Sequence, residues 1–219
     1  MKKAILFNDT TDEWHHGCDL VIQSIKKLLK KNKIELVYSS NSSADYTKDT
    51  KLKKIIDKFK IDLFVVNGEG SIHHDSERAI KLLNISNFAK KFKIKSVLIN
   101  CTYAFNKNIN NISLLKKFDL ISVRENKSKH ELQKFGIKAL LVPDLSYYSI
   151  ETLTNNHNNI QQVVVSDSVI SKLTYKLHKY ARKNNFKFLP ILSFYKINIF
   201  QIKSYFGYLK FLVKNLINI

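Results

Sequence analysis

The stretch Ile61-Asp62-Leu63-Phe64-Val65-Val66-Asn67-Gly68-Glu69-Gly70-Ser71-Ile72-His73-His74-Asp75-Ser76 decides how this chain folds. Ile61–Val66 is a short run rich in β-forming apolar residues and reads as a strand. It runs straight into Gly-x-Gly-Ser, two adjacent histidines, and then Asp75 or Ser76, either of which suits a helix N-cap. A helix is predicted from there over Ser76–Phe92, with Ala79, Leu82, Leu83 and Phe88 facing inward. Glycines in such a turn let backbone N–H groups approach an anion, and a helix start adds a favourable dipole. The plainer alternative is a tight turn with exposed histidines. The dinucleotide fingerprint needs a third glycine where Ile72 and His73 stand, which argues against NAD.

Outward from this segment the same alternation repeats. Lys3–Asn8, Glu35–Tyr38, Ser96–Asn100, Asp119–Val123 and Ile137–Val142 read as strands. Cys18–Lys31 reads as a helix with Leu20, Val21, Ile25, Leu28 and Leu29 on one face. Leu52, Ile55, Ile56 and Phe59 stripe another helix. Asn126–Phe135 forms a third, closed by Gly136 where a left-handed C-cap is wanted. Strands separated by helices of this length are βαβ units, so the fold class is α/β: a Rossmann-like parallel sheet flanked by helices. Ligands of such sheets bind at the carboxyl ends of the strands, which directs attention to the loops after Phe7, Val66, Asn100, Val123 and Val142.

The domain reading is 1–150 for this N-terminal unit, 151–161 for a polar linker containing Asn155-Asn156-His157-Asn158-Asn159, and 162–219 for a partial second α/β unit. In the last, Gln162–Ser166 and Lys187–Leu192 read as strands and Ile170–Asn184 as a helix. A basic, aromatic terminal segment follows.

Composition narrows the function classes. The chain has 219 residues, 44% of them hydrophobic and 25% charged, enough for a packed core. Its formal net charge is +19, but its only arginines are Arg78, Arg124 and Arg182. Lysine gives general attraction to polyanions, whereas bidentate reading of bases and phosphates relies on arginine, so specific nucleic-acid binding is not expected. Cys18 and Cys101 are too few for a disulfide scaffold, and the reading is a reducing compartment. The apolar stretch at the start ends at Phe7, and Asp9, Asp12 and Glu13 follow, which argues against an export signal. No apolar run reaches the roughly 18–20 residues of a membrane span.

Two more loops carry chemistry. Asp12-Glu13-Trp14-His15-His16-Gly17-Cys18-Asp19 leads into the first helix. Adjacent histidines point in different directions, so no metal site is expected of His15 and His16. Ser122-Val123-Arg124-Glu125-Asn126-Lys127-Ser128 places a guanidinium at a strand end, suited to a carboxylate or phosphate through two parallel hydrogen bonds. A structural pair of Arg124 with Glu125 or with Asp144 is the competing reading.

Taken in order, these loops resemble the polysaccharide pyruvyl transferase family. The resemblance lies in His15-His16-Gly17-Cys18-Asp19, in Asn67-Gly68-Glu69-Gly70-Ser71, and in Asp119-Leu120-Ile121-Ser122-Val123-Arg124-Glu125 with Ser128, Leu132, Gly136 and Val142-Pro143-Asp144. It covers about residues 1–150 well and 160–219 weakly. It implies two Rossmann-like halves resembling the GT-B glycosyltransferases, and transfer of pyruvate from phosphoenolpyruvate to sugar hydroxyls of a capsule or cell-wall glycan as a cyclic ketal. Phosphoenolpyruvate is then the donor substrate, and no cofactor or metal is implied.

The implied roles follow. Arg124 holds the donor's carboxylate or phosphate. Gly68, Glu69, Gly70, Ser71, His15, His16 and Asp144 are substrate-binding, and His73 or His74 is the general acid or base. Family members are commonly longer, with a complete second half, so the expectation here is a shortened one. The implied location is cytoplasmic, with a saccharide or lipid-linked glycan as acceptor. Lys196, Lys203 and Lys210 recur every seven residues among aromatic and aliphatic side chains, a pattern compatible with peripheral contact on the inner face of the membrane. Two rival readings remain: a GT-B-type enzyme using a nucleotide sugar, and a non-catalytic remnant that binds anionic glycan.

Overall fold

The structure is a computed structural model, and it describes residues 1–13, 15–150, 163–168, 171–191, 209 and 213. Contacts divide the chain into two compact units: Met1–Asp12 with Leu20–Glu151, and Glu13–Asp19 with Thr152–Ile219.

The first unit is built on a six-stranded parallel sheet. Its strands are β1 (Lys2–Asp9), β2 (Ile34–Asn41), β3 (Leu63–Asn67), β5 (Lys95–Cys101), β7 (Leu120–Val123) and β8 (Leu140–Leu141), in the spatial order β2-β1-β3-β5-β7-β8. Two-residue strands β4 (Ile72–His73) and β6 (Tyr103–Ala104) pair in parallel beyond the ends of β3 and β5. The helices are α1 (His16–Lys31), α2 (Thr50–Lys58), α3 (Glu77–Leu83), α4 (Ile85–Lys91), α5 (Ile109–Leu115), α6 (Asn126–Gln133) and α7 (Ser146–Ile150).

The alternation of side chains along a strand explains why β1 and β3 read as unbroken apolar runs, since both faces are covered. Ala4, Leu6 and Val65 meet Val21, Ile22, Ile25 and Leu29 of α1 on one face. Ile5, Phe7, Phe64 and Val66 meet Leu52, Ala79, Leu83, Ile85 and Ala89 on the other. Phe7 and Phe64 are edge-on at 5.0 Å, and Phe64 stacks on Phe88 at 5.8 Å.

Two predicted elements differ. The helix expected over Ser76–Phe92 is two helices, α3 and α4, joined at Asn84, whose side chain turns back to the Ile80 carbonyl at 3.1 Å. A side chain competing with the backbone for its own helix bonds is what asparagine does in a helix interior. The strand expected over Ile137–Val142 is paired only at Leu140–Leu141. The Gly136 cap is as predicted: its φ is +70°, and the Ile137 N–H returns to the Leu132 carbonyl at 3.1 Å.

In the second unit, β9 (Val164–Ser166) and β10 (Lys187–Leu189) pair in parallel, with α8 (Ser171–Lys183) between them in sequence. Ala181 and Phe188 are buried there, and the Phe188 ring meets His178 edge-on at 5.2 Å. The linker 151–161 and the Lys196/Lys203/Lys210 stripe lie outside the described residues.

Candidate functional site

The order of the sheet reverses between β1, whose next strand β2 lies on one side, and β3, which lies on the other. A crevice opens at the carboxyl ends of the strands at such a point. Asn8 closes β1 there in the left-handed region, with φ of 62°. Its Nδ2 donates to the Asn67 carbonyl at 2.6 Å, and Asn67 Nδ2 reaches back to the Asn8 carbonyl at 3.3 Å. Glu69 also lies here, accepting from Asn67 Nδ2 at 2.8 Å and from the Thr10 hydroxyl at 2.7 Å. Arg78 of α3 donates to Asn8 Oδ1 at 3.0 Å. Next to them Asp9 accepts from the Ser39 hydroxyl and from the Thr11 N–H and hydroxyl. Burial alone would raise its pKa, but these donors and Lys26 hold its carboxyl below the usual aspartate value.

The two glycines of the turn differ in purpose. A Cβ on Gly68 would stand 2.8 Å from Cys101 Cβ and 3.0 Å from Cys101 Cα, so the missing side chain there lets the turn pass against β5. The Gly68 N–H is already given to the Ile99 carbonyl at 2.8 Å, and Ser71, buried, closes the turn through its N–H to the Gly68 carbonyl at 3.0 Å. Gly70 instead faces Arg124: a Cβ there would meet Arg124 Nη2 at 3.5 Å. The Gly turn and the guanidinium therefore converge.

Arg124 is fixed on two sides. Its Nε donates to Thr102 Oγ1 at 2.8 Å and its Nη1 to Asp144 Oδ2 at 2.7 Å. Of the two structural pairings open from sequence, the one with Asp144 forms, while Glu125 accepts from the Ser128 hydroxyl at 2.8 Å. Burial would raise the Asp144 pKa, but the Ser146 N–H and hydroxyl and the Arg124 guanidinium outweigh it and hold the carboxyl low. Nε and Nη1 carry these two bonds, and Nη2 is the nitrogen on the Gly70 side. Asn100, at the end of β5 with φ of 54°, accepts the Leu145 N–H on Oδ1, and its buried Nδ2 has no partner among the described residues.

His73 lies in β4 opposite Ala104, two residues beyond Thr102. The Nδ1 atoms of His73 and His74 are 2.9 Å apart, so one ring donates and the other accepts. That contact uses the Nδ1 atom of each ring and not its Nε2. Ser76, not Asp75, caps α3 through the Ala79 N–H at 3.2 Å. Asp75 instead ties down the following loop, accepting from the Lys107 and Asn108 N–H groups and from Asn111 Nδ2.

His15 and His16 fall in the second unit. His15 Nδ1 accepts from the Gly17 N–H at 3.1 Å and the Cys18 N–H at 3.4 Å, which caps α1 and fixes that nitrogen as an acceptor. The His16 N–H goes to the Ile191 carbonyl at 3.3 Å. Cys101 is fully buried, which pushes its thiol up to about 12, with the nearby Arg124 charge lowering it by less. It is not a nucleophile. Among the described residues no three His, Cys, Asp or Glu side chains gather around one metal position, and no helix is long and apolar enough to cross a membrane.

The structure thus brings Gly70, Arg124 and Asp144 together and places Glu69 at the switch point. Thr102, Asn8, Thr10 and Arg78 were missed from sequence. A buried asparagine at a strand end, as in Phe7-Asn8 and Val66-Asn67, was the available signal.

These features define a Rossmann-like α/β protein with an arginine and a glycine turn at the carboxyl rim of its sheet. A model of the polysaccharide pyruvyl transferase family matches residues 15–214, and the chain belongs to that family. No curated protein matches. Among solved structures, the RcsB response regulator of Salmonella typhimurium is similar at 15% identity, over 85% of each chain, with a TM-score of 0.32. A carbohydrate transporter from Acidothermus cellulolyticus, in complex with myo-inositol, is similar at 15% identity over 87% of this chain and 73% of its own, with a TM-score of 0.35. Scores of that size carry nothing about binding or activity.

Proposed function

We propose that this chain transfers pyruvate from phosphoenolpyruvate to two hydroxyls of one sugar in a surface glycan, forming a cyclic ketal and releasing phosphate. The observation that carries the proposal is Arg124: clamped by Thr102 and Asp144, it points Nη2 at Gly70, where no side chain intervenes. A guanidinium held in this way binds the donor's carboxylate or phosphate without first having to be ordered.

The chemistry then needs a proton at the donor's methylene carbon. One of His73 and His74 delivers it from the ring pair, giving a methyl group and an oxocarbenium-like carbon. The first sugar hydroxyl adds to that carbon and its proton returns to the histidine pair. Phosphate then leaves, taking the bonding electron pair, and the second hydroxyl closes the ketal, its proton leaving with phosphate. The balance is one donor and one diol in, one ketal and one phosphate out. The saccharide is free or carried on a lipid, and a donor made in the cytoplasm sets the reaction there.

The test is a thermal-shift titration with phosphoenolpyruvate alongside a panel of nucleotide sugars. Donor at 100 times its dissociation constant stabilises by about 2.7 kcal/mol. The expected result is a shift with phosphoenolpyruvate that Arg124→Ala abolishes and Arg124→Lys restores only partly. A shift with a nucleotide sugar and none with phosphoenolpyruvate would replace this reading with a glycosyltransferase.

A further inference from the structure

Beside the histidine pair stands an aromatic ring that the fold leaves open. Phe105 is 64% exposed, yet it is anything but loose. Its backbone has φ of 55°, in the left-handed region, directly after β6. The next residue, Asn106, is tied at both ends of its amide: Oδ1 accepts the Asp75 N–H at 2.9 Å, and Nδ2 donates to the Ile72 carbonyl at 2.9 Å. Asp75 then holds the Lys107 and Asn108 N–H groups at 2.8 and 3.1 Å. The ring itself is flanked by His74, with centroids 4.9 Å apart and planes 32° apart, and by the Lys127 ammonium at 5.2 Å. A phenylalanine with a left-handed backbone, no core to fill and a following loop fastened through Asn106 and Asp75 is not explained by packing, because an exposed ring contributes little to stability.

The position also fits a purpose. Phe105 follows Thr102 by three residues, which span at most about 10 Å of chain, and Thr102 is the group that holds Arg124 Nε. The ring is thus exposed, within about 10 Å of chain from the residue that holds Arg124, and in contact with one of the two histidines proposed as acid or base. A pyranose has two unlike surfaces, an apolar face of C–H groups and an equatorial belt of hydroxyls. An exposed, rigid aromatic ring takes the first, and imidazole nitrogens take the second.

We propose that Phe105 is the stacking platform for the pyranose ring of the acceptor, with His74 against its hydroxyl edge. This rests on the pyruvyl-transfer reading and adds to it the acceptor position: a ring stacked on Phe105 brings its hydroxyls to the histidine pair and toward the carbon of a donor held at Arg124. The ligand class is a hexopyranoside, and the contact is selective for ring face rather than for charge.

The test uses the full chain. Phe105→Trp places a fluorophore at the platform, and it is titrated with methyl hexopyranosides and their disaccharides in the absence of donor. Saturable change of the Trp signal is expected, and Phe105→Ala is expected to weaken binding of the same sugar about tenfold by calorimetry, with the phosphoenolpyruvate thermal shift of Phe105→Ala unchanged. Binding as tight in Phe105→Ala as in the native chain overturns the proposal, as does failure of every panel sugar to bind native protein. Equal loss of sugar binding and donor shift in Phe105→Ala, not restored in Phe105→Trp, also overturns it, since that outcome is structural. Sugar binding that depends on residue 105, in a protein that ignores phosphoenolpyruvate, supports the platform and defeats the donor assignment instead.

Discussion

Asn8 and Asn67 clasp each other across the crevice between β1 and β3: each side-chain amide donates to the other's main-chain carbonyl, at 2.6 and 3.3 Å. Both residues are buried. The two strand ends that flank the switch point are therefore locked by side chains and not by the sheet ladder alone, and Glu69 and Arg78 are hung on the same pair.

Asn67→Ala should lower stability by about 1–3 kcal/mol, because it leaves the buried Asn8 carbonyl and the Glu69 carboxylate short of a donor. Urea unfolding checks this, with the midpoint falling and the slope unchanged. An unmoved midpoint would mean that the clasp carries no energy.

Gly68→Ala and Gly70→Ala should part company. At Gly68 the new methyl would collide with Cys101 Cβ at 2.8 Å and Cα at 3.0 Å, so the loss should be about 1–3 kcal/mol. Cys101→Ala should not rescue it, since alanine keeps the Cβ. At Gly70 the nearest atom is Arg124 Nη2 at 3.5 Å, and stability should hold while donor affinity falls. Paired unfolding and thermal-shift measurements separate the two.

Much of this arrangement was legible in the residues. The strand before Asn67-Gly68 and the apolar stripe of α1 declare themselves because burial on both faces of a parallel sheet demands unbroken hydrophobic runs. Gly136 announced its cap because no other residue type adopts its φ so freely. What could not be read was long-range pairing. Nothing in Thr102 alone says that it will hold Arg124, and Arg124 had two acids within plausible reach, of which Asp144 was chosen by the placement of β8 after β7. The short strands β4 and β6 were missed because two residues make no periodic pattern. The break at Asn84 was missed because the apolar stripe continues across it.

Acid should destabilise the chain partly through Asp9 and Asp144. Both folded-state values lie below the ordinary aspartate value of about 3.9. Their contribution is therefore fully present above that pH and is lost as pH falls from it through the depressed values. Asp144→Asn should make stability less steep with pH in that acid range and leave the slope near neutrality as it was. Urea midpoints from neutral pH down to strongly acid pH give the comparison, and parallel curves for native and variant would refute it.

Cys101 should resist alkylation in the folded chain. With its thiol pushed up to about 12 by burial, the reactive thiolate is scarce at pH 8 and shielded as well. Iodoacetamide labelling of Cys101, read by mass spectrometry, should track the urea transition. Rapid labelling of the native protein would contradict the buried placement.

The fastening by Asp75 of the loop before α5, and of Asn111 in its first turn, has a thermodynamic corollary. The Lys107 and Asn108 amides it captures should exchange slowly with deuterated solvent before any ligand arrives. A segment already immobilised gives up little freedom on association, so any ligand taken up here should bind with a rate close to that of rigid-body encounter and with small changes in loop order.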